Sequence, residues 1–247
     1  VDYYDFCDEL EQEGARFVAR AAEADMVAMV PGCPDWRVSD LLAHVGFVHR
    51  WARQLVAVRA SDRISPRDME FSRGPVTAQW LAEGVREVLV TLRESDPDDA
   101  MWAWGADQHV RFWARRQLHE TVVHRVDLEE SMAIESRIDP RIAVDAIDEF
   151  LANLERATAF SPAAKNLVGN NEVISFRTDE GPGWSVRLSP EGFELIDAAE
   201  RADAVLSGPA TDVLLTLYRR ASLADSSCAV QGEDDLVTTW LANCALL

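Results

Sequence analysis

Apolar positions recur at helical spacing from about residue 3 to 28, where Phe6, Leu10, Ala15, Val18 and Ala22 share a stripe with charges between them. The run VPGCPDW, residues 30–36, then breaks the pattern, because two prolines and a glycine do not continue a helix. A second helix is predicted from about Ser39 to Ala60, with Asp35 or Ser39 as the capping acceptor at its start. Residues 61–76 are polar, contain Pro66, Gly74 and Pro75, and read as a long loop. A third helix fits 77–95, with Trp80, Leu81, Val85, Val88 and Leu92 as its buried stripe. The tryptophan-rich connection MWAWG follows, and a fourth helix takes roughly 108–131. Four helices of this length joined by loops predict an antiparallel bundle. A further helix near 140–158 opens after Asp139-Pro140.

Beyond about residue 160 the period changes. NEVISFRT and GWSVRLS alternate in strand fashion around a Gly-Pro-Gly turn, and GFELIDA and ADAVLSG read as two more short strands. A helix starts at Pro209, and EDDLVTTWLANCALL predicts a terminal one. The chain is therefore expected to be α+β, with a helical bundle over residues 1–158 and a small α+β domain over 159–247. No internal repeat or low-complexity tract interrupts either part.

With 247 residues, 48% of them hydrophobic, the chain can bury a core without staples. Its net charge of −19 repels nucleic-acid phosphates and anionic membranes, so neither is expected as a partner. No run has the apolar length of a membrane span, and no secretory signal is evident, so a cytoplasmic location is the default expectation. Cys7, Cys33, Cys228 and Cys244 form no C-x-x-C pair and read as reduced thiols. Cys33, in the turn-rich segment, reads as a small residue bracing that loop or as a reactive thiol. Oligomeric state is not legible.

The candidate chemistry lies in RRQLHETVVHRVD, residues 115–127. Glu120 and His124 stand one turn apart, about 40° around the helix at roughly 100° per residue, and so project from nearly one face. His119 and His124 are about 140° apart on the same count and do not easily share a metal, which separates the segment from the H-E-x-x-H metalloprotease motif. His44 on the second helix is available as a third donor. Two histidines and a carboxylate hold zinc or a similar divalent metal and leave positions open. Asp40 precedes His44 by one turn and Asp127 follows His124, each placed to orient a ring as an outer acceptor. An E-x-x-x-H pair is more often a hydrogen-bonded pair than a metal site, and spacing leaves both readings open. His49 and His109 read as structural or solvent-facing.

VPGCPDWRVSDLLAHVGFVHRW and RRQLHETVVHRVD together resemble the mycothiol-dependent maleylpyruvate isomerase family of the DinB-like superfamily. ADAVLSGPATDVLLTLYRR and the V-Q-G-E-D after it resemble that family's C-terminal domain, which is similar to sterol carrier proteins. The resemblance implies a DinB-like four-helix bundle followed by a sterol-carrier-like domain. It implies that His44, Glu120 and His124 bind a divalent metal, typically zinc, which activates the thiol of mycothiol for attack on an electrophilic carbon. In the isomerase itself, thiol addition to a cis double bond permits rotation, and elimination returns the trans isomer. The family's C-terminal helix often ends in an aromatic-Gly-Arg sequence whose arginine reaches the active site. Tyr218-Arg219-Arg220 stands at that place, so Arg220 matches the arginine, as a candidate to hold a substrate carboxylate, and Arg219 replaces the glycine. An equally simple reading makes Arg220 a solvated helix-end residue. Arg37 stands where the family usually has Thr or Ser.

The leading expectation is thus an enzyme, a mycothiol-using transferase or isomerase acting on a small electrophile, with its site between bundle and C-terminal domain. Trp102, Trp104, Phe112 and Trp113 either line its substrate side or belong to the core. The alternative is a non-catalytic metal-containing binding protein for a small apolar ligand. A third reading, hydrolysis by activated water, needs Asp127 or His119 as general base.

Overall fold

The structure is a computed structural model that describes residues 2–65, 69, 75–157, 161–197, 199 and 201–245. Pro66 and Gly74 of the expected loop lie outside the described residues, as do Thr158, Ala198 and the last two residues of the expected terminal helix. The chain folds as two compact units, Val1–Arg137 and Ile138–Leu247.

The first unit contains α1 (Tyr3–Glu23), α2 (Val38–Ala57), α3 (Ala78–Arg93) and α4 (Val110–Ser131). The helix α1 packs on α3 and α4, and α2 packs on the same two, which makes a four-helix bundle with α2 and α4 as neighbours. Phe17, Leu41, Leu42, Val45, Leu81 and Leu128 meet in its core. The segment that breaks the helical pattern forms a short irregular hairpin of β1 (Met29–Val30) and β2 (Cys33–Arg37), turning at Pro31-Gly32.

That hairpin changes how α2 begins. Neither Asp35 nor Ser39 caps the helix; the cap residue is Arg37. Ala28 and Met26 carbonyls accept from the Val38 and Ser39 amides at 2.9 and 3.0 Å, and Asp40 Oδ2 accepts from the Arg37 amide at 2.9 Å. Backbone of the turn between α1 and β1 thus satisfies the free amides expected to bond a side chain.

Amphipathy is clear on α1 and α3 and nearly absent on α4, which is buried on almost every side and still carries Arg116, His119, His124, Arg125, Asp127 and Glu129 inside. Such burial is tolerated only when each group is paired. Arg125 donates Nε to Glu13 on α1, Nη1 to Glu129 at 2.6 Å and Nη2 to the Arg137 carbonyl at 2.8 Å. Trp102 of the connection packs with Trp51 on α2 and Trp113 on α4, the three ring centroids 5.4–6.1 Å apart.

The second unit opens with α5 (Pro140–Asn153), capped by Asp139, whose side chain accepts from the Arg141 amide. A five-stranded sheet follows in the order β5-β4-β3-β6-β7, formed by β3 (Val173–Thr178), β4 (Gly183–Ser189), β5 (Gly192–Ile196), β6 (Ala204–Gly208) and β7 (Ala229–Gly232). Only the β3–β6 pair is parallel. The helices α6 (Ala210–Leu217) and α7 (Asp234–Asn243) complete the α+β unit, with Phe176 and Trp240 packed at 5.4 Å. Helix α5 packs against α6, where Phe150 meets Tyr218 at 4.9 Å, so the division falls at Arg137/Ile138 and not after residue 158. Periodicity gives a helix a buried stripe without saying which unit receives it.

Strand β7 has no counterpart among the strands expected from the sequence. It is four residues long, largely exposed and without clean alternation, and it ends at Gly232, whose φ of +88° and close approach to the Asp203 carbonyl admit no side chain. Among the described residues no helix is long and apolar enough to cross a membrane.

The end of α6 explains a departure seen in the sequence. Arg219 has φ +59°, its amide donates to the Thr216 carbonyl at 3.0 Å, and the Arg220 amide donates to the Leu215 carbonyl at 2.7 Å. This is a Schellman cap, whose left-handed position ordinarily takes glycine. Arginine fills it here against a steric penalty. Arg219→Gly is therefore expected to stabilise the protein by about 0.5–1 kcal/mol, read as a higher urea midpoint at unchanged slope.

Candidate metal centre

Helices α2 and α4 lie side by side, and three side chains meet across their contact. Glu120 and His124 share a face of α4, as their spacing predicts, and His44 approaches from α2. Both histidines aim at a single oxygen: His44 Nε2 lies 2.9 Å and His124 Nε2 3.2 Å from Glu120 Oε1. All three residues offer donor atoms within 4.8 Å of one another. The side chains of His44 and Glu120 keep 27% and 17% of their exposure, against 9% for His124, so the cluster is open toward solvent on the His44 side.

The arrangement fits a divalent cation. Bonds of about 2.0–2.2 Å at tetrahedral angles separate neighbouring donors by roughly 3.3 Å, close to the two His–Glu spacings of 2.9 and 3.2 Å. The donor set, two imidazoles and one carboxylate, suits zinc and related metals and leaves a fourth position for another ligand.

Other residues singled out in the sequence divide. Asp127 is wholly buried and its Oδ2 lies 2.7 Å from His124 Nδ1, which fixes the ring with Nε2 toward the cluster. The Cys33 thiol lies 3.8 Å from the same Oδ2, tying β2 to α4 as a loop brace. Asp40 does not orient His44; its carboxylate is spent on the start of α2. His119 turns away from the cluster, fully buried with its ring edge-on to Phe6. His109 is the cap residue of α4 and pairs with Asp107. Arg220 belongs to the second unit, where its Nη1 donates to the Tyr218 carbonyl at 2.8 Å. Two neighbours of the cluster are not evident from the sequence pattern. The Trp36 ring packs on His44 at 4.9 Å and on His124 at 6.1 Å, and Arg116, one turn before Glu120, donates to its carboxylate. The i,i+4 spacing of Arg116 and Glu120 is a usable signal; nothing local marks Trp36.

Residues 7–129 match the family model described as the mycothiol maleylpyruvate isomerase N-terminal domain, and residues 141–239 match that of the C-terminal domain. This chain belongs to the mycothiol-dependent maleylpyruvate isomerase family. Membership places it among enzymes. Crystal structures of the mycothiol-dependent maleylpyruvate isomerase, unmodified and as a histidine-to-alanine mutant, each superpose with a TM-score of 0.61 at 13% identity, covering 93% of both chains. Those matches share the two-part fold. A ubiquinone synthesis protein, UbiJ-SCP2, aligns over 42% of this chain and 94% of its own at 17% identity and a TM-score of 0.32. No curated protein matches.

The charges of this family member's cluster are set by its surroundings. Burial alone would raise the Glu120 carboxyl, but the Arg116 charge and the hydrogen bonds from His124 and His44 prevail and hold it well below the usual range. Burial likewise opposes charge on His124; Asp127 and Glu120 outweigh it and push the imidazole up to about 9. Neutral pH lies below that value, so His124 carries a proton on both ring nitrogens, one toward Asp127 and one toward Glu120.

His49, one layer deeper between the same helices, behaves oppositely. The Thr121 hydroxyl donates to the Gln117 carbonyl at 2.7 Å, so it accepts from His49 Nε2 at 2.9 Å, and the neutral ring carries its proton on Nε2. Its Nδ1 is buried with no hydrogen-bond partner among the described residues. Burial drives its pKa down to about 4 from 6.5. A depressed folded-state value means that the stability is present above pH 6.5 and is lost as pH falls toward 4. The wild type should lose on the order of 3 kcal/mol more than His49→Leu across that window, measured by urea unfolding at each pH.

Proposed function

We propose that this chain is a metal-dependent enzyme that activates a low-molecular-weight thiol, mycothiol, for S-transfer to, or isomerisation of, a small electrophilic substrate in the cytoplasm. The observation that carries the reading is the convergence of His44 Nε2 and His124 Nε2 on Glu120 Oε1, at 2.9 and 3.2 Å, at the solvent-facing edge of the α2–α4 contact. A divalent cation held there, zinc in this reading, supplies one property: it keeps a thiol ionised near neutral pH, where a free thiol with a pKa of about 8.5 is mostly protonated.

The chain's own residues do the rest. Glu120 is already ionised and needs no proton removed. His124 is held in one orientation by Asp127 and would give up its proton on becoming a ligand. Trp36 walls one side of the two histidine rings and narrows the approach to them. Arg220 is assigned to a substrate carboxylate through two parallel hydrogen bonds, an assignment that rests on the match of Tyr218-Arg219-Arg220 to the family sequence. Hydrolysis by activated water is disfavoured, since Asp127 is engaged by His124 and His119 is packed against Phe6, which leaves neither as a base at the cluster.

Metal analysis of the wild type beside His124→Ala, with mycothiol titrated into each, tests the reading. About one zinc per wild-type chain is expected, most of it lost in the variant, with thiol binding only where metal is present. A wild type that neither carries nor takes up a divalent cation sinks the proposal. Arg220→Ala is expected to leave metal content unchanged and to raise KM for a carboxylate-bearing substrate about tenfold; an unchanged KM removes Arg220 from the site.

A further inference from the structure

The two oxygens of Glu120 have different neighbours. Oε1 receives both histidines, His44 at 2.9 Å and His124 at 3.2 Å. Oε2 receives Nη2 of Arg116, one turn earlier on the same helix. Arg116 is 5% exposed, and its guanidinium carbon stands 5.8 Å from the centroid of the Trp104 ring. A buried guanidinium needs a compensating anion, and the carboxylate it holds needs a donor, so the two fix one another.

A carboxylate meets a divalent cation through one oxygen or two, and the choice decides how many positions remain for another ligand. We infer that Arg116 is a positioning residue that retains Oε2 on its guanidinium, so that Glu120 offers a cation Oε1 alone. The inference rests on the metal reading above and adds to it the mode of binding. With one oxygen from Glu120 and one nitrogen from each histidine, three donors are placed and a fourth position stays open for a thiol sulfur. With Oε2 released, the carboxylate can close over that position. The Trp104 ring lies within cation–π range of the same guanidinium.

Loading the protein with Co2+, whose visible spectrum reports coordination number, tests this in wild type, Arg116→Gln and Arg116→Lys. The wild type is expected to show the strong absorption of a four-coordinate site and a sulfur-to-cobalt charge-transfer band on adding mycothiol. Arg116→Gln should show the weaker absorption of a higher-coordinate site, a diminished charge-transfer band and a Co2+ Kd about tenfold weaker or more. Arg116→Lys, which keeps a charged donor, should recover the wild-type spectrum in large part. A merely structural arginine would alter thermal stability in both variants and leave the spectra alike, and that result overturns the inference while the metal reading stands. Should Arg116→Gln not fold, a crystal structure of the zinc-loaded wild type decides: Oε2 on Arg116 upholds the inference, and Oε2 bonded to zinc overturns it. A wild type that takes up no Co2+ overturns the metal reading itself, and the role of Arg116 with it.

Discussion

The bundle is governed by the need to pair the charged groups that α4 carries into its interior. A helix buried on nearly every side would ordinarily be apolar all round, yet this one buries two arginines, two histidines, an aspartate and a glutamate. Leaving one such charge without its partner costs about 3–5 kcal/mol, a large part of what holds a domain together. Each partner therefore locates an element. Glu13 locates α1 against Arg125, His49 locates α2 against Thr121, and Cys33 locates the β1–β2 hairpin against Asp127. Rotating α4 by one residue would strand all of them together.

The same constraint builds the cluster at the α2–α4 contact. His44 comes to Glu120 because α2 has already been placed one turn further along by the pair of His49 and Thr121. Charge then runs in an alternating line: Arg116, Glu120, His124, Asp127. Each member is flanked by the opposite sign or by a group able to take it, which is why a carboxylate and an imidazole in one buried place can both be ionised. The two ends of that line have different tasks. Asp127 is an acceptor that settles one histidine ring, and Arg116 is a donor that settles one carboxylate.

Much of this is legible in the amino-acid sequence. Helices α1 and α3 follow from apolar periodicity, the α+β second unit from the change of period near residue 160, and the pairing of Glu120 with His124 from a spacing of four. His44 is available as a third donor, but only motif resemblance assigns it to them, because which two helices of a bundle touch is decided by side chains far apart in sequence. The hairpin at residues 29–37 hides behind its prolines, which read as a break although a strand so short and irregular tolerates them. Asp40 misleads for a simple reason. One turn before a histidine and one turn into a helix are the same position, and here the carboxylate accepts from the free amide of Arg37. Helix α5 reads as part of the bundle because a stripe of Ile142, Ala146 and Phe150 suits a bundle as well as it suits α6, its actual neighbour.

The separation of core from cluster bears on what a cation there would do. Phe17, Val38, Leu41, Leu42, Val45, Leu81 and Leu128 pack the bundle through apolar contacts that involve none of the three donors. The ion pairs that lock α4 run through Arg125, Glu13 and Glu129, on the other side of the helix from Glu120. Structural zinc sites are built differently: their ligands substitute for a core, and the domain unfolds without the ion. Here the apolar core and the buried pairs hold the helices through residues other than the three donors, which sit at a partly exposed edge. In the proposed reading that division of labour favours a site for chemistry over a site for stability.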